Sequence, residues 1–301
     1  MILNTVKTVK YDVLHRVLIM NLQLTRFFRE VSFFTMFRYQ SILLIFVSFI
    51  LSIALVVSSA ASQQQQTPIG IQHLLKAYPT HLESATANTL YWKDGTDMLY
   101  DDVKNKEFQM LLNFPDLEDQ MSIPYVAGRN YQIPRKNFDP GRIRYEPFFL
   151  KMYGKSASQV KRKLVSISWM PKTVNKRIMV TSVNGVNEKL QAVSNELDAL
   201  PYHLKKYVTK TAGTFNWRKI SSTNRLSVHS FGIAIDINIK YANYWRWNMP
   251  KNPHQELKYR NSIPMEIVEI FEKHGFIWGG KWYHYDTMHF EYRPELLINR
   301  K

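Results

Sequence analysis

Gly232-Ile-Ala-Ile-Asp-Ile-Asn-Ile-Lys240 alternates strictly between apolar and small or polar residues. In an extended chain Ile233, Ile235, Ile237 and Ile239 share one face, and Ala234, Asp236 and Asn238 share the other. The spacing predicts a β-strand over 232–240 with its isoleucines in a core and one carboxylate, Asp236, on the opposite side. Just upstream stands Ser227-Val-His-Ser-Phe231. Gly232 lets the chain turn closely between the two segments, which can bring His229 back toward Asp236 at the head of the strand.

Nearer the C-terminus, Trp282-Tyr-His-Tyr-Asp-Thr-Met-His-Phe-Glu-Tyr292 contains a second strand pattern. There His289 and Glu291 fall on one face, with Phe290 and Tyr292 on the other. Arg177 to Val183 is rich in β-branched residues and reads as a strand. Val186 to Leu200 places Leu190, Val193, Leu197 and Leu200 at helical spacing, and Pro201 ends the run. Pro264 to His274 reads as a helix with proline in its first turn and Gly275 just past its end. Nearer the N-terminus, Leu90 to Tyr100 suits a hairpin turning on Asp94-Gly95. Pro115, Pro124, Pro134, Pro140 and Pro147 argue for irregular structure around them. Strands and helices in this order predict an α+β fold, a mainly antiparallel sheet with flanking helices. The expected organisation is a leader over 1–61, a loop-rich N-terminal region over 62–165, and a catalytic domain over 166–301.

Composition narrows the chemistry. The chain of 301 residues is 45% apolar and 14% aromatic, enough for a substantial core, and it has no cysteine. Disulfides and thiolate metal sites are therefore excluded, so a metal would be held by His, Asp or Glu. The formal net charge of +16 suits an anionic environment such as a cell envelope or membrane surface. Lys and Arg are spread along the chain without a nucleic-acid-binding motif, so no specific nucleic-acid partner is expected.

Ile42 to Val57 is an unbroken apolar stretch whose only polar members are two serines. Arg38 precedes it and Ser58-Ser-Ala-Ala61 follows, which are the three parts of a secretory signal. The run is short for a transmembrane helix, which needs about 20 residues. Cleavage after Ala60 or Ala61 fits, Met36 would open a leader of ordinary length, and an uncleaved membrane anchor through 42–57 is the competing reading. Either way the folded part is expected outside the cytoplasmic membrane, periplasmic or extracellular.

Two ligands from one short segment and a third from a distant one is how catalytic zinc sites are usually assembled, with a fourth position left open. Asp286, three residues before His289, is placed for proton transfer rather than ligation. Taken alone, His229 and Asp236 also fit an ordinary core hydrogen bond. The combined pattern Ser-x-His-x-x-Gly-x-Ala-x-Asp, then Asp-x-x-His-Phe-Glu, resembles the zinc D-alanyl-D-alanine carboxypeptidase and L-alanyl-D-glutamate peptidase family. That resemblance implies the α+β fold shared with the hedgehog signalling domain, and cleavage of peptidoglycan stem peptides. It implies zinc held by His229, Asp236 and His289, with Asp286 as the catalytic carboxylate. Many members carry glutamate at that place, and aspartate is more like the L-alanyl-D-glutamate branch. The family's arginine for the substrate carbonyl matches Arg218 in Gly213-Thr-Phe-Asn-Trp-Arg218, with Arg225 as second choice.

Glu291 is expected to orient a ligand rather than bind metal. His284 is assigned a cleft or surface role. Trp278, Trp282, Tyr283 and Tyr285 are read as core and cleft-wall packing, ahead of sugar stacking. The alternative to an enzyme is a non-catalytic wall-binding module that retains the fold.

Overall fold

The computed structural model describes residues 67–252 and 255–298. The leader and anchor expected within 1–61 lie outside the described residues. Among the described residues no helix is long and apolar enough to cross a membrane.

The chain from Thr67 forms one compact unit. It opens with helix α1 (Ile69–Ala77), which buries Ile71 and Leu74. A three-stranded antiparallel sheet follows: β1 (Leu82–Ala85), β2 (Thr89–Trp92) and β3 (Asp97–Leu99). The β2–β3 turn falls on Asp94-Gly95 as expected, with Gly95 at φ +82°, where a side chain would be strained. Short helices α2 (Phe108–Asn113) and α3 (Leu117–Met121) come next, and Asp116 and Asp119 close a reciprocal capping box on α3. Helix α4 (Glu146–Tyr153) turns Phe148, Phe149, Met152 and Tyr153 inward, and α5 (Ala157–Lys161) leads to the next sheet.

Strands β4 (Leu164–Trp169) and β5 (Lys176–Thr181) form an antiparallel ribbon covered by α6 (Val186–Asp198). Of the expected apolar stripe, α6 buries Leu190, Val193 and Leu197, whereas Leu200 lies beyond its end and is only partly buried. After α7 (Tyr202–Lys205) the last sheet is made of β6 (Ala234–Asp236), β7 (Phe276–Trp278) and β8 (His289–Tyr292), with helix α8 (Met265–Lys273) before β7. Its order is β6-β8-β7, so the last strand is central. Every strand pair is antiparallel. The fold is α+β and its strands antiparallel, as expected, and among the described residues the strands lie in three small sheets.

The long strand expected over 232–240 is shorter in the structure. Ile233, Ile235 and Ile237 are buried, but Ile239 is 51% exposed. The cause is Asn238, whose side chain accepts the Lys240 N–H and caps a 3₁₀ turn over Ile239–Tyr241. Asparagine closes such turns readily, and here the local bond beats continued pairing.

A main apolar core runs through the described residues, with a small second cluster of Tyr125, Ile277, Trp282 and Leu297. Phe148 and Phe149 of α4, Trp169 of β4, Val193 of α6 and Ile235 of β6 belong to a single cluster. Phe271 of α8 stacks on Phe290 of β8 with ring centroids 3.8 Å apart. That contact fixes one face of β8 against the helix, so His289 and Glu291 must point the other way.

Candidate metal centre

The register of the last sheet creates the site. Asp236 of β6 lies directly opposite His289 of β8, and Ala234 lies opposite Glu291. Side chains paired this way project from the same face at close range. His229 arrives from the 3₁₀ turn Val228–Phe231, which ends at Gly232 with φ +67°. A Cβ on Gly232 would stand 2.8 Å from Leu164 Cδ2 and 3.2 Å from the Thr181 backbone nitrogen. Left-handed backbone and a close approach both demand glycine here. Gly232→Ala is expected to lower stability by about 1–3 kcal/mol, read as a reduced midpoint in urea unfolding.

Three inward-facing atoms meet. His229 Nε2 and Asp236 Oδ1 are 3.2 Å apart, His289 Nδ1 and Asp236 Oδ1 are 3.0 Å apart, and the two ring nitrogens are 3.3 Å apart. Zinc bonds of about 2.0–2.1 Å in a tetrahedron give edges of about 3.3 Å. The three atoms therefore match one face of such a tetrahedron.

The outward ring nitrogens fix the tautomers. His229 Nδ1 lies 2.9 Å from the Thr214 carbonyl oxygen, which can only accept, so Nδ1 carries the proton and Nε2 presents a lone pair. His289 Nε2 lies 2.9 Å from Glu291 Oε2 in the same relation, which leaves Nδ1 as the inward atom that takes either a proton or a metal ion. Burial would raise the Glu291 carboxyl, but Arg144, His289 and Arg293 outweigh it and hold the group well below the usual carboxylate range. Arg144 grips Glu291 through Nη2 at 2.5 Å and Nε at 3.2 Å. Arg293 adds a bond of 3.0 Å. A histidine whose far nitrogen is held by a carboxylate is the usual support of a metal ligand.

Two imidazole lone pairs and a carboxylate oxygen facing one another require a positive charge between them. Burial disfavours a charged His289 ring, yet Asp236 and Glu291 outweigh burial and push it up to about 10. Burial likewise raises Asp236, and the two histidines more than reverse it. A divalent cation meets the same demand, and the nitrogen–nitrogen–oxygen donor set fits zinc. The other groups of ligand-type side chains among the described residues are all carboxylates, Asp101, Asp102 and Asp116 and then Asp116, Glu118 and Asp119. Lys106 already sits there, with Nζ within 3.0 Å of Asp102, Asp116 and Asp119, which supplies the positive charge a metal would bring.

Asp286 lines the same cleft, a space of about 140 Å³ that also borders His229, Asp236 and His289. Its backbone is fixed by a bond from its N–H to the Gly279 carbonyl oxygen and one from the His289 N–H to its own carbonyl. Its Oδ1 is buried without a hydrogen-bond partner. Burial, then the charge of Asp236, pushes the carboxyl up to about 6. A carboxylate so placed can take up a proton near neutral pH.

Arg218 is exposed and borders the cleft, donating from Nη1 to the Lys219 carbonyl at 3.4 Å. Arg225 borders it too, half-buried. His284 is not part of the cluster. Its Nδ1 lies 2.6 Å from Asp139, and its ring stacks on Phe108 and meets Trp245 edge-on. Trp278, Trp282 and Tyr285 are buried, and Trp282 forms part of the cleft wall.

Three contributors went unread in the sequence. The Thr214 carbonyl orients His229, and a backbone group leaves no sequence signal. Arg142 and Arg144 line the cleft from the segment before α4. Their i, i+2 spacing would put both on one face of an extended chain, but nothing in the sequence ties that face to β8.

No curated protein and no solved structure matches the chain. A model of the peptidase family described as D-alanyl-D-alanine carboxypeptidase matches residues 221–292, the stretch that carries His229, Asp236, Asp286 and His289, and so supports the resemblance drawn from the two motifs.

Proposed function

We propose that the chain is a zinc-dependent peptidase that hydrolyses peptide bonds in peptidoglycan stem peptides. The carrying observation is the set of three donor atoms 3.0–3.3 Å apart, with the outward nitrogen of each histidine held by an acceptor and the Asp286 carboxylate, whose buried Oδ1 has no hydrogen-bond partner, beside them. A zinc ion held by His229, Asp236 and His289 supplies Lewis acidity to the reacting carbonyl and to the attacking water. Asp286 accepts the proton that the nucleophile loses and returns it to the leaving amine. Arg218 reaches the cleft from its rim and steadies the charge that develops on the carbonyl oxygen. Removing such a group costs about 2.7–4 kcal/mol of transition-state stabilisation. Glu291, gripped by Arg144 and Arg293, keeps His289 aimed.

The family match supports peptide-bond chemistry, and its description, D-alanyl-D-alanine carboxypeptidase, favours a cell-wall peptide as the substrate. The bond cut is of the L-alanyl-D-glutamate or D-alanyl-D-alanine type, and the aspartate at 286 favours the first. The apolar stretch at 42–57 supports export, as a cleaved leader or as an anchor, and the net charge of +16 suits a polyanionic envelope.

Mass analysis of purified stem peptides after digestion by the full-length, zinc-loaded protein tests the reading. One new pair of fragments, absent when a chelator is added, is the expected result and names the bond. Peptides left intact around neutral pH by protein that carries one zinc per chain would replace the enzyme with a wall-binding module.

A further inference from the structure

The buried charges behind β8 continue beyond Glu291. The chain runs His289-Phe-Glu-Tyr-Arg-Pro-Glu295, with an ionisable side chain at every second position, and Glu291, Arg293 and Glu295 are all fully buried. Arg293 donates from Nη1 to Glu291 Oε1 at 3.0 Å and to the Gly141 carbonyl oxygen at 2.9 Å. From Nε it donates to Glu295 Oε1 at 2.5 Å. The other oxygen of Glu295, Oε2, accepts the Tyr78 hydroxyl at 2.6 Å. Tyr78 is itself fully buried, at the residue where α1 ends. Burial, then the charge of Glu295, pushes the phenol well above its usual range, so the hydroxyl keeps its proton and donates. The path is unbroken, from Tyr78 to Glu295, to Arg293, to Glu291, and from Glu291 Oε2 to His289 Nε2 at 2.9 Å.

Ion pairs this deeply buried are often no more stabilising than apolar side chains of the same volume. Stability alone therefore does not account for them. What the network fixes is the direction of Arg293. Among the described residues its Nη2 has no hydrogen-bond partner, and in a guanidinium this nitrogen stands beside Nε as the second prong of a fork. A carboxylate at Nε would ordinarily take both prongs. Here Tyr78 occupies the oxygen that Nη2 would claim, so Glu295 engages Nε alone and Arg293 stays turned with Nη1 on Glu291. Without the hydroxyl, Glu295 Oε2 is a buried acceptor left unsatisfied, which is costly, and Nη2 is the donor ready to replace it. Turning the guanidinium to supply that bond draws Nη1 away from Glu291, which then holds the His289 ring less firmly.

We propose that Tyr78 is a positioning residue for the metal centre, acting through Glu295, Arg293 and Glu291 on the ring of His289. This rests on the reading of His229, Asp236 and His289 as zinc ligands. It gives the N-terminal segment a part in the site, because α1 lies far in sequence from β8 and its end still supports a ligand there.

Zinc affinity is measured on the full-length protein by competition with a chelating dye, well below the unfolding midpoint of each variant. Tyr78→Phe keeps the ring and removes the hydroxyl. It is expected to weaken zinc binding by about tenfold, the low end of the range for groups that support a metal-bound histidine. Tyr153→Phe is the control. It removes another fully buried hydroxyl, one bonded to Asn184 at 3.3 Å and outside this path, and should leave the affinity within about twofold of the parent. A double-mutant cycle supplies the readout that a general loosening of the fold would not move. Glu291→Gln breaks the path at its last step, so adding Tyr78→Phe to it should weaken zinc binding no further. Should Tyr78→Phe fail to fold, Glu295→Gln, which keeps the shape and drops the charge, takes its place with the same expectations. Parental affinity in the variant, an equal loss in Tyr153→Phe, or full additivity with Glu291→Gln would overturn the proposal. A parent protein that binds no zinc would instead remove the metal-centre reading itself.

Discussion

Asp286→Asn is expected to reduce peptide hydrolysis by about 10²- to 10⁴-fold, the usual contribution of a positioned acid–base group, while zinc stays at one per chain. The substitution is nearly isosteric. It leaves both backbone bonds in place, the one to Gly279 and the one from His289, so β8 and its ligand do not move. The side chain makes no hydrogen bond to His229, Asp236 or His289, so metal affinity has no direct reason to fall. What disappears is the capacity to hold a proton. Stability follows from the sign of the shift. The carboxyl is raised from 3.8 to about 6 in the folded chain, so its contribution is fully present below the unfolded value and is lost as pH rises through about 6. Above that, the buried ionised group is a burden, and the metal-free asparagine variant should unfold no earlier than its parent at slightly alkaline pH. Metal analysis, an initial-rate assay and a thermal scan on one preparation give all three quantities. Zinc lost together with activity would make Asp286 a ligand and leave the proton-transfer role unfilled.

The elements whose signals are local could be read directly. Asp94-Gly95 dictated its hairpin because few other pairs tolerate that backbone, and the stripe of Leu190, Val193 and Leu197 had to face a core. Strand parity put His289 and Glu291 together, since period two is fixed by the pleat. Where reading by parity failed, at Ile239, a single asparagine side chain offered the backbone a competing bond. Parity also says nothing of pairing. That Asp236 faces His289 follows from a register between strands far apart in sequence, and that register is held by Phe290 packing on Phe271 and by the buried isoleucines of β6. The arginines of the cleft were hidden for a related reason. Arg142 and Arg144 stand in a proline-rich stretch without periodicity, and their meaning comes from Glu291 and Trp282, contacts that only the folded chain creates.

His289→Ala is expected to lower bound zinc from one per chain to near zero and to abolish hydrolysis, whereas His284→Ala should leave zinc content unchanged. The two histidines lie in one motif, and the contrast depends on where the fold puts them. His289 contributes one of three donor atoms at tetrahedral spacing. Its loss leaves an imidazole and a carboxylate, too few for a site that depends on three protein ligands. The cost to the fold itself should be smaller. Glu291 gives up one hydrogen bond but keeps Arg144 and Arg293, so its buried charge remains paired and the strand keeps its anchor. Loss of metal with the circular dichroism spectrum preserved is therefore the expected signature. His284 is spent elsewhere, held by Asp139 at 2.6 Å and enclosed by Phe108 and Trp245. Its removal strands the buried Asp139 carboxylate, which still accepts the backbone N–H of residue 284 at 2.8 Å, so the penalty should fall on stability and not on metal content. Equilibrium dialysis against zinc followed by elemental analysis separates the outcomes. Full zinc occupancy in His289→Ala would remove this residue from the ligand set, and with it the reading of the β6–β8 register as the frame of a metal centre.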